Sequence, residues 1–171
     1  MIKLPKKNVK LKDFFTKLGL KKIYDESIVN DSAQKKDKRL NKNPYPPELL
    51  DLYYLYELIR LNKRITILEY GCGWSTIMIH FALKKLKLKM NSRFFERCHN
   101  PYQLYSLDNS KKFISISKKR LNAYSKNTKD VKFFYSKVVM DVFNGKYCSA
   151  YINHPIINPD FIYVDGPDQF E

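Results

Sequence analysis

A chain of 171 residues is the size of one domain, with little room for a second independent core. Hydrophobic residues make up 44% and aromatic residues 15%, enough to build a core and to exclude global disorder. The net charge of +15 keeps a polyanionic partner in view, while three cysteines are too few and too irregular for a disulfide framework.

Residues 1–43 read as a basic, weakly patterned and weakly ordered N-terminal extension. Within it Leu11, Phe14, Phe15 and Leu18 have the spacing of a short amphipathic helix, and Lys35 to Arg39 reads as a solvated loop. Order is expected from Pro44-Tyr45-Pro46-Pro47, since proline suits the first turn of a helix. A helix then runs from Glu48 to about Asn62, with Leu49, Leu52, Tyr53, Tyr56 and Ile59 on one apolar stripe.

Residues 65–70 form a β-rich apolar run that stops at glycine, the pattern of a buried parallel strand. A helix follows from Ser75 to about Leu88, then a polar stretch to Pro101. Residues 102–107 read as a second strand ending at Asp108, and 110–125 as a helix. Residues 131–135 are a third strand, 137–159 an irregular segment, and 161–164 a fourth strand ending at Asp165-Gly166-Pro167. Strands alternating with helices of this length predict an α/β fold: a Rossmann-like parallel sheet in three α/β/α layers, with right-handed crossovers. Ligands in such sheets bind at the carboxyl ends of the strands, where the Gly- and Asp-bearing segments of this chain fall.

Gly71 and Gly73 lie between the first strand and its helix. Glycines there let the backbone turn sharply and approach a ligand, and the helix start offers free N–H groups to it. Ser75 or Thr76 is placed to cap the helix. Glu69 stands two residues before Gly71, and Asp108 ends the next strand, where a carboxylate can accept both hydroxyls of a ribose. A nicotinamide site would carry a third glycine and an acid about 20 residues onward. Trp74 and Ser75 follow Gly73 instead, and Asp108 lies further away, which disfavours that cofactor.

In these residues the sequence resembles class I S-adenosylmethionine-dependent methyltransferases. Leu68 to Thr76 (LEYGCGWST) is similar to the family's first motif, Leu107-Asp108-Asn109 to its ribose-binding motif, and Asp160 to Pro167 (DFIYVDGP) to a fourth-strand signature of small-molecule and sugar-type O-methyltransferases. The resemblance covers roughly 44–171, which it marks as a cofactor-binding domain. It implies S-adenosyl-L-methionine as cofactor, with Gly71 and Gly73 along its methionine part and Glu69 at its amino end, directly or through water. Trp74, Ser75 and Thr76 would border the same pocket. Asp108 would hold the ribose, Asn109 would stand near the adenine, and Ser136 and Lys137 would approach its edge. Asp165 would face the methyl group and the substrate as the catalytic residue. It implies methyl transfer to an oxygen of a small-molecule or sugar-like substrate. Family domains continue with three further strands beyond the fourth, so the chain is expected to represent the N-terminal half of such a domain.

Other signals are weaker. Asn43 to Pro47 loosely resembles the N-P-P-Y motif of amino-group methyltransferases but precedes the first strand, so it reads as a helix start. One carboxylate at Asp165 is not a metal site, Cys98-His99 and His154 lack ligand spacing, and no metal is expected. His80 reads as a core or boundary histidine, Cys72 as a small packing residue, and Asp141 as an unassigned acid. The positive charge has two sources to weigh. The basic residues are mostly Lys, and Lys, Asn, Ile, Tyr and Phe share AT-rich codons, which favours genome bias. A polyanion partner is the alternative, either as an RNA methyltransferase or as a non-catalytic basic module binding nucleic acid or another anion. Free thiols, no signal-like N-terminus and no apolar run near 20 residues lead to the expectation of a cytoplasmic chain without a membrane span.

Overall fold

The computed structural model describes residues 2–33, 46–89 and 100–166. The chain runs α1 (Leu11–Lys17), α2 (Lys21–Ala33), α3 (Leu49–Leu61), β1 (Thr66–Tyr70), α4 (Trp74–Lys87), β2 (Gln103–Asp108), α5 (Lys111–Tyr124), β3 (Val131–Tyr135), β4 (Val138–Phe143), β5 (Lys146–Tyr151) and β6 (Phe161–Val164). The four strands read from the sequence form one sheet in the order β3-β2-β1-β6, and every neighbouring pair is parallel.

That order sets the place of the site. From β1 the chain steps outward through β2 to β3, then returns to lay β6 on the other side of β1. The direction of winding therefore reverses between β1 and β6, and a reversal of this kind opens a crevice at the carboxyl ends of the two strands. Asp160 fixes the return: its carboxylate accepts the Ile65 and Thr66 amides at 2.9–3.0 Å, and its own amide donates to the Thr66 carbonyl. In the resulting register Glu69 lies beside Ser106 on one side and Tyr163 on the other.

One sheet face carries the main core. Ile67 and Leu104 pack there with Ile59 of α3, Ile77, Met78 and Leu83 of α4, and Leu121 of α5. The buried positions of α3, at Leu52, Tyr53, Leu55, Tyr56 and Ile59, follow the helical spacing that the sequence shows. His80 is buried in α4, its two ring nitrogens 3.0 Å from Asp130 and from Ser125, and so ties α4 to the turn after α5.

Three sequence expectations need correction. Residues 2–33 do not form a weakly ordered extension: they hold two helices, and Phe15, Leu20 and Ile23 are completely buried in the main core. Their apolar residues are thinly spread among lysines, which hides the packing face. Residues 138–151 are not irregular but an antiparallel hairpin closed at Asn144-Gly145. Both turn residues have positive φ, of 51° and 74°, the geometry that favours an Asn-Gly pair. Finally, helices among the described residues account for one sheet face only. On the other, Leu68, Tyr105 and Leu107 are buried beneath the segment after the hairpin, where Ile157 packs on them, so no third helical layer is present there. Lys35 to Arg39, Asn43 to Tyr45, Cys98, His99 and Pro167 lie outside the described residues. No helix among the described residues is long and apolar enough to cross a membrane.

Candidate functional site

The bend after β1 is built by backbone contacts. Gly71 has φ +86°, donates its amide to the Leu107 carbonyl at 2.7 Å, and lies against the chain leaving β6. A Cβ at Gly71 would stand 2.7 Å from the Asp165 carbonyl oxygen, so conformation and space both demand glycine. The Asp165 amide donates to the Tyr70 carbonyl at 2.7 Å and closes the crevice floor between β1 and β6. Gly73 differs: its φ of −175° is ordinary extended backbone, and a Cβ there would meet nothing within 4 Å. The space in front of Gly73 is open.

Glu69 lies under the bend with no exposed surface. Ser75 donates to one carboxylate oxygen at 2.6 Å; Thr76 and Ser106 donate to the other at 2.7 and 2.6 Å. Thr76 Oγ1 also accepts the Gly73 amide at 3.0 Å. One buried carboxylate thus ties β1, β2 and the first turn of α4 to the bend. Burial penalises its charged form and pushes its pKa up to about 7; the three hydroxyl bonds pull the other way, and nearby Asp165 adds to the rise. Three protein hydroxyls bond the carboxylate that the resemblance places at the cofactor's amino end, directly or through water.

Asp108 reaches the bend from the next strand. Its carboxylate accepts the Cys72 amide at 2.8 Å and the Ser110 amide at 2.7 Å, and the residue is only 4% exposed. Ser136, at the end of β3, donates its amide to the Asp108 carbonyl, and its hydroxyl accepts the Asn153 amide at 2.9 Å. Asp108, Ser136 and the bend therefore meet at one edge of the sheet. Asn109 is half-buried beside them, and Lys137 is exposed.

Trp74, Ser75 and Thr76 are all buried and turned into the protein. Trp74 carries the Arg120 guanidinium 4.1 Å from its ring centre, a cation–π contact that joins α4 to α5. Asp165 is exposed just past the carboxyl end of β6. Partial desolvation, followed by the charge of Asp51, holds its carboxyl above the usual range. The described residues hold no group of three or more His, Cys, Asp and Glu side chains suited to a metal ion. Asp141 is exposed on β4, opposite Cys148.

Two residues at the site escape the sequence reading. Ser106 shares the sheet face of Asp108, and a polar residue two positions back in a buried strand is the signal that could have found it. Tyr151, at the end of the hairpin, is 7% exposed, and its hydroxyl has no hydrogen-bond partner among the described residues. It stands 3.2 Å from where a Cβ on Gly166 would be. Only the hairpin brings it there, and the Asn144-Gly145 turn was the legible sign of that hairpin.

Compared with known proteins, the chain matches no family model, no curated protein and no solved structure at a significant level.

Proposed function

We propose that the crevice between β1 and β6 is a nucleoside-sulfonium site and that the chain is the cofactor-binding part of an S-adenosylmethionine-dependent methyltransferase. The observation that carries this reading is the meeting of Asp108 with the glycine bend through the Cys72 amide at 2.8 Å. A carboxylate at the end of the strand next to a glycine bend can grip a ribose while the bend lies along the rest of the ligand. Further support comes from the open space at Gly73 and from the winding reversal beside it.

Several residues suit such a ligand. The Asp108 oxygens each accept one amide and keep lone pairs for ribose hydroxyls. Ser136 and Asn109 border the base side and Lys137 the rim. Glu69 acts from below: it fixes the bend through Ser75, Thr76 and Ser106. The bound cofactor would supply an activated methyl group. The chain's own task is alignment of the acceptor, a large effect in such reactions, and removal of its proton if it is a hydroxyl. Asp165, exposed at the crevice mouth with a raised pKa, is the residue assigned to that task. The acceptor class proposed is an oxygen of a small molecule or sugar-like compound.

Isothermal calorimetry tests the reading. S-adenosylhomocysteine should bind the native chain with one-site heat, and Asp108→Ala should weaken it by about tenfold or more, the loss expected when a charged hydrogen-bond acceptor is removed. No heat from the folded native chain at millimolar ligand overturns it.

A further inference from the structure

We propose that Tyr151 is a site residue that closes the crevice: its ring is the plug that withdraws from the bend before a ligand reaches Asp108. The proposal rests on the reading of the bend as a ligand site, though not on which nucleoside binds there.

Three observations carry it. First, Tyr151 is the most deeply buried residue of the hairpin. Val139, Met140, Val142, Phe143 and Tyr147 are 43–82% exposed, whereas Tyr151 is 7% exposed. The hairpin delivers one side chain to the protein and leaves most of the rest in solvent. Second, that side chain ends where ligand contacts are expected. Its hydroxyl lies against Gly166, whose own missing Cβ would sit 2.9 Å from the Gly71 Cα, and its ring lies 5.3 Å from that of Tyr70. Asp108 and Cys72 are close enough to disfavour its ionisation after burial itself. Third, the hydroxyl is buried and has no hydrogen-bond partner among the described residues. An unmade hydrogen bond is costly, so a residue that only filled space here would be better as phenylalanine. The hydroxyl makes the closed arrangement less favourable and leaves it reversible.

The strap that carries Tyr151 is held in a way that permits withdrawal. Its hydrogen bonds to the body of the domain, among the described residues, lie at the rim: Ile152 N–H to the Lys137 carbonyl, Asn153 N–H to Ser136 Oγ, and Tyr70 Oη with His154 Nδ1 at 3.0 Å. None is a ladder bond of the four-stranded sheet, so Tyr151 can move while β1, β2 and β6 stay paired and Ile157 stays packed on Leu68, Tyr105 and Leu107.

Cys72, half-buried in the bend beside Tyr151, reports closure without any ligand. The full chain is treated with N-ethylmaleimide, and modification of the peptide containing Cys72 is followed by mass spectrometry. Tyr151→Ala should be modified about tenfold faster than the native chain, as expected when a local closure is removed. Tyr151→Phe should be modified more slowly than native, because it closes without an orphaned hydroxyl. These opposite signs separate a plug from a packing residue, whose loss would loosen the site in both variants. Equal rates in native and Tyr151→Ala chains overturn the proposal. Should Tyr151→Ala fail to fold, His154→Ala decides: faster modification supports the plug and an unchanged rate overturns it. S-adenosylhomocysteine forms a separate arm. If it protects Cys72 in neither the native nor the Tyr151→Ala chain while the variant still reacts faster, the plug stands and the nucleoside reading falls.

Discussion

The Asp108 carboxylate and the Cys72 amide, 36 positions apart in sequence, are 2.8 Å apart in the fold. This bond joins the end of β2 to the bend after β1 and sets the spacing of the two strand ends that a ligand would bridge. Asp108 also accepts the Ser110 amide, so it prepares the start of α5 as well. Asp108→Ala strands both donors and is expected to cost about 2–6 kcal/mol, from about 1–3 kcal/mol for each buried unsatisfied group. Asp108→Asn should cost less, because its carbonyl oxygen still accepts one amide. Urea denaturation of the three chains checks the order.

The two glycines of the bend should separate folding from binding. Gly71→Ala forces a Cβ to 2.7 Å from a carbonyl oxygen at φ +86°, and about 3 kcal/mol or more of stability should be lost. Gly73→Ala meets neither strain nor contact and should change stability by about 0.5 kcal/mol or less. Its methyl group enters the open space proposed for the ligand, so S-adenosylhomocysteine affinity should fall while the melting temperature holds. Unchanged affinity in Gly73→Ala would move the ligand elsewhere.

The first strand, its glycine stop and the acid ending the next strand are legible because each obeys a local rule. An apolar run ending in Gly marks a buried strand, and helical spacing marks Leu52, Tyr56 and Ile59. What stayed hidden is tertiary. The sequence gives Glu69 as an acid near a turn, but whether it faces a ligand or three hydroxyls depends on Ser106 arriving from another strand. Phe15, Leu20 and Ile23 sit in lysine-rich sequence with weak periodicity, and only packing against α3 and α4 reveals them as core. Tyr151 is invisible without the hairpin. Its signal, Asn144-Gly145 between two β-rich runs, was present but outweighed by the prolines that follow.

Glu69 makes stability depend on pH in an uncommon direction. Its pKa rises from an ordinary 4.5 to about 7 on folding, so the folded chain holds a proton that the unfolded chain has released. Its contribution is complete below the unfolded value and is lost as pH rises through about 7. The melting temperature should fall between about pH 5 and 7.5, with a loss on the order of a few kcal/mol at most. Glu69→Gln, which is uncharged throughout, should flatten that slope. A slope identical to native would show that another group titrates.

Asp165 is exposed and contributes no side-chain hydrogen bond to the bend; its contact there is through the backbone. Asp165→Asn should therefore keep the melting temperature and S-adenosylhomocysteine affinity of the native chain. With an active hydroxyl acceptor, methyl transfer should fall by about 100-fold or more, the usual scale for loss of a general base. Equal loss of binding and transfer would mark Asp165 as a cofactor ligand instead.

The most direct measurement of the central claim is a titration of the isotopically labelled chain with S-adenosylhomocysteine, followed through its backbone amide resonances. Saturable shifts are expected at Cys72, Gly73, Asn109 and Ser110, with the remote amides of α1 and α3 unmoved. Saturable shifts confined to other parts of the molecule, or none at millimolar ligand, would contradict it.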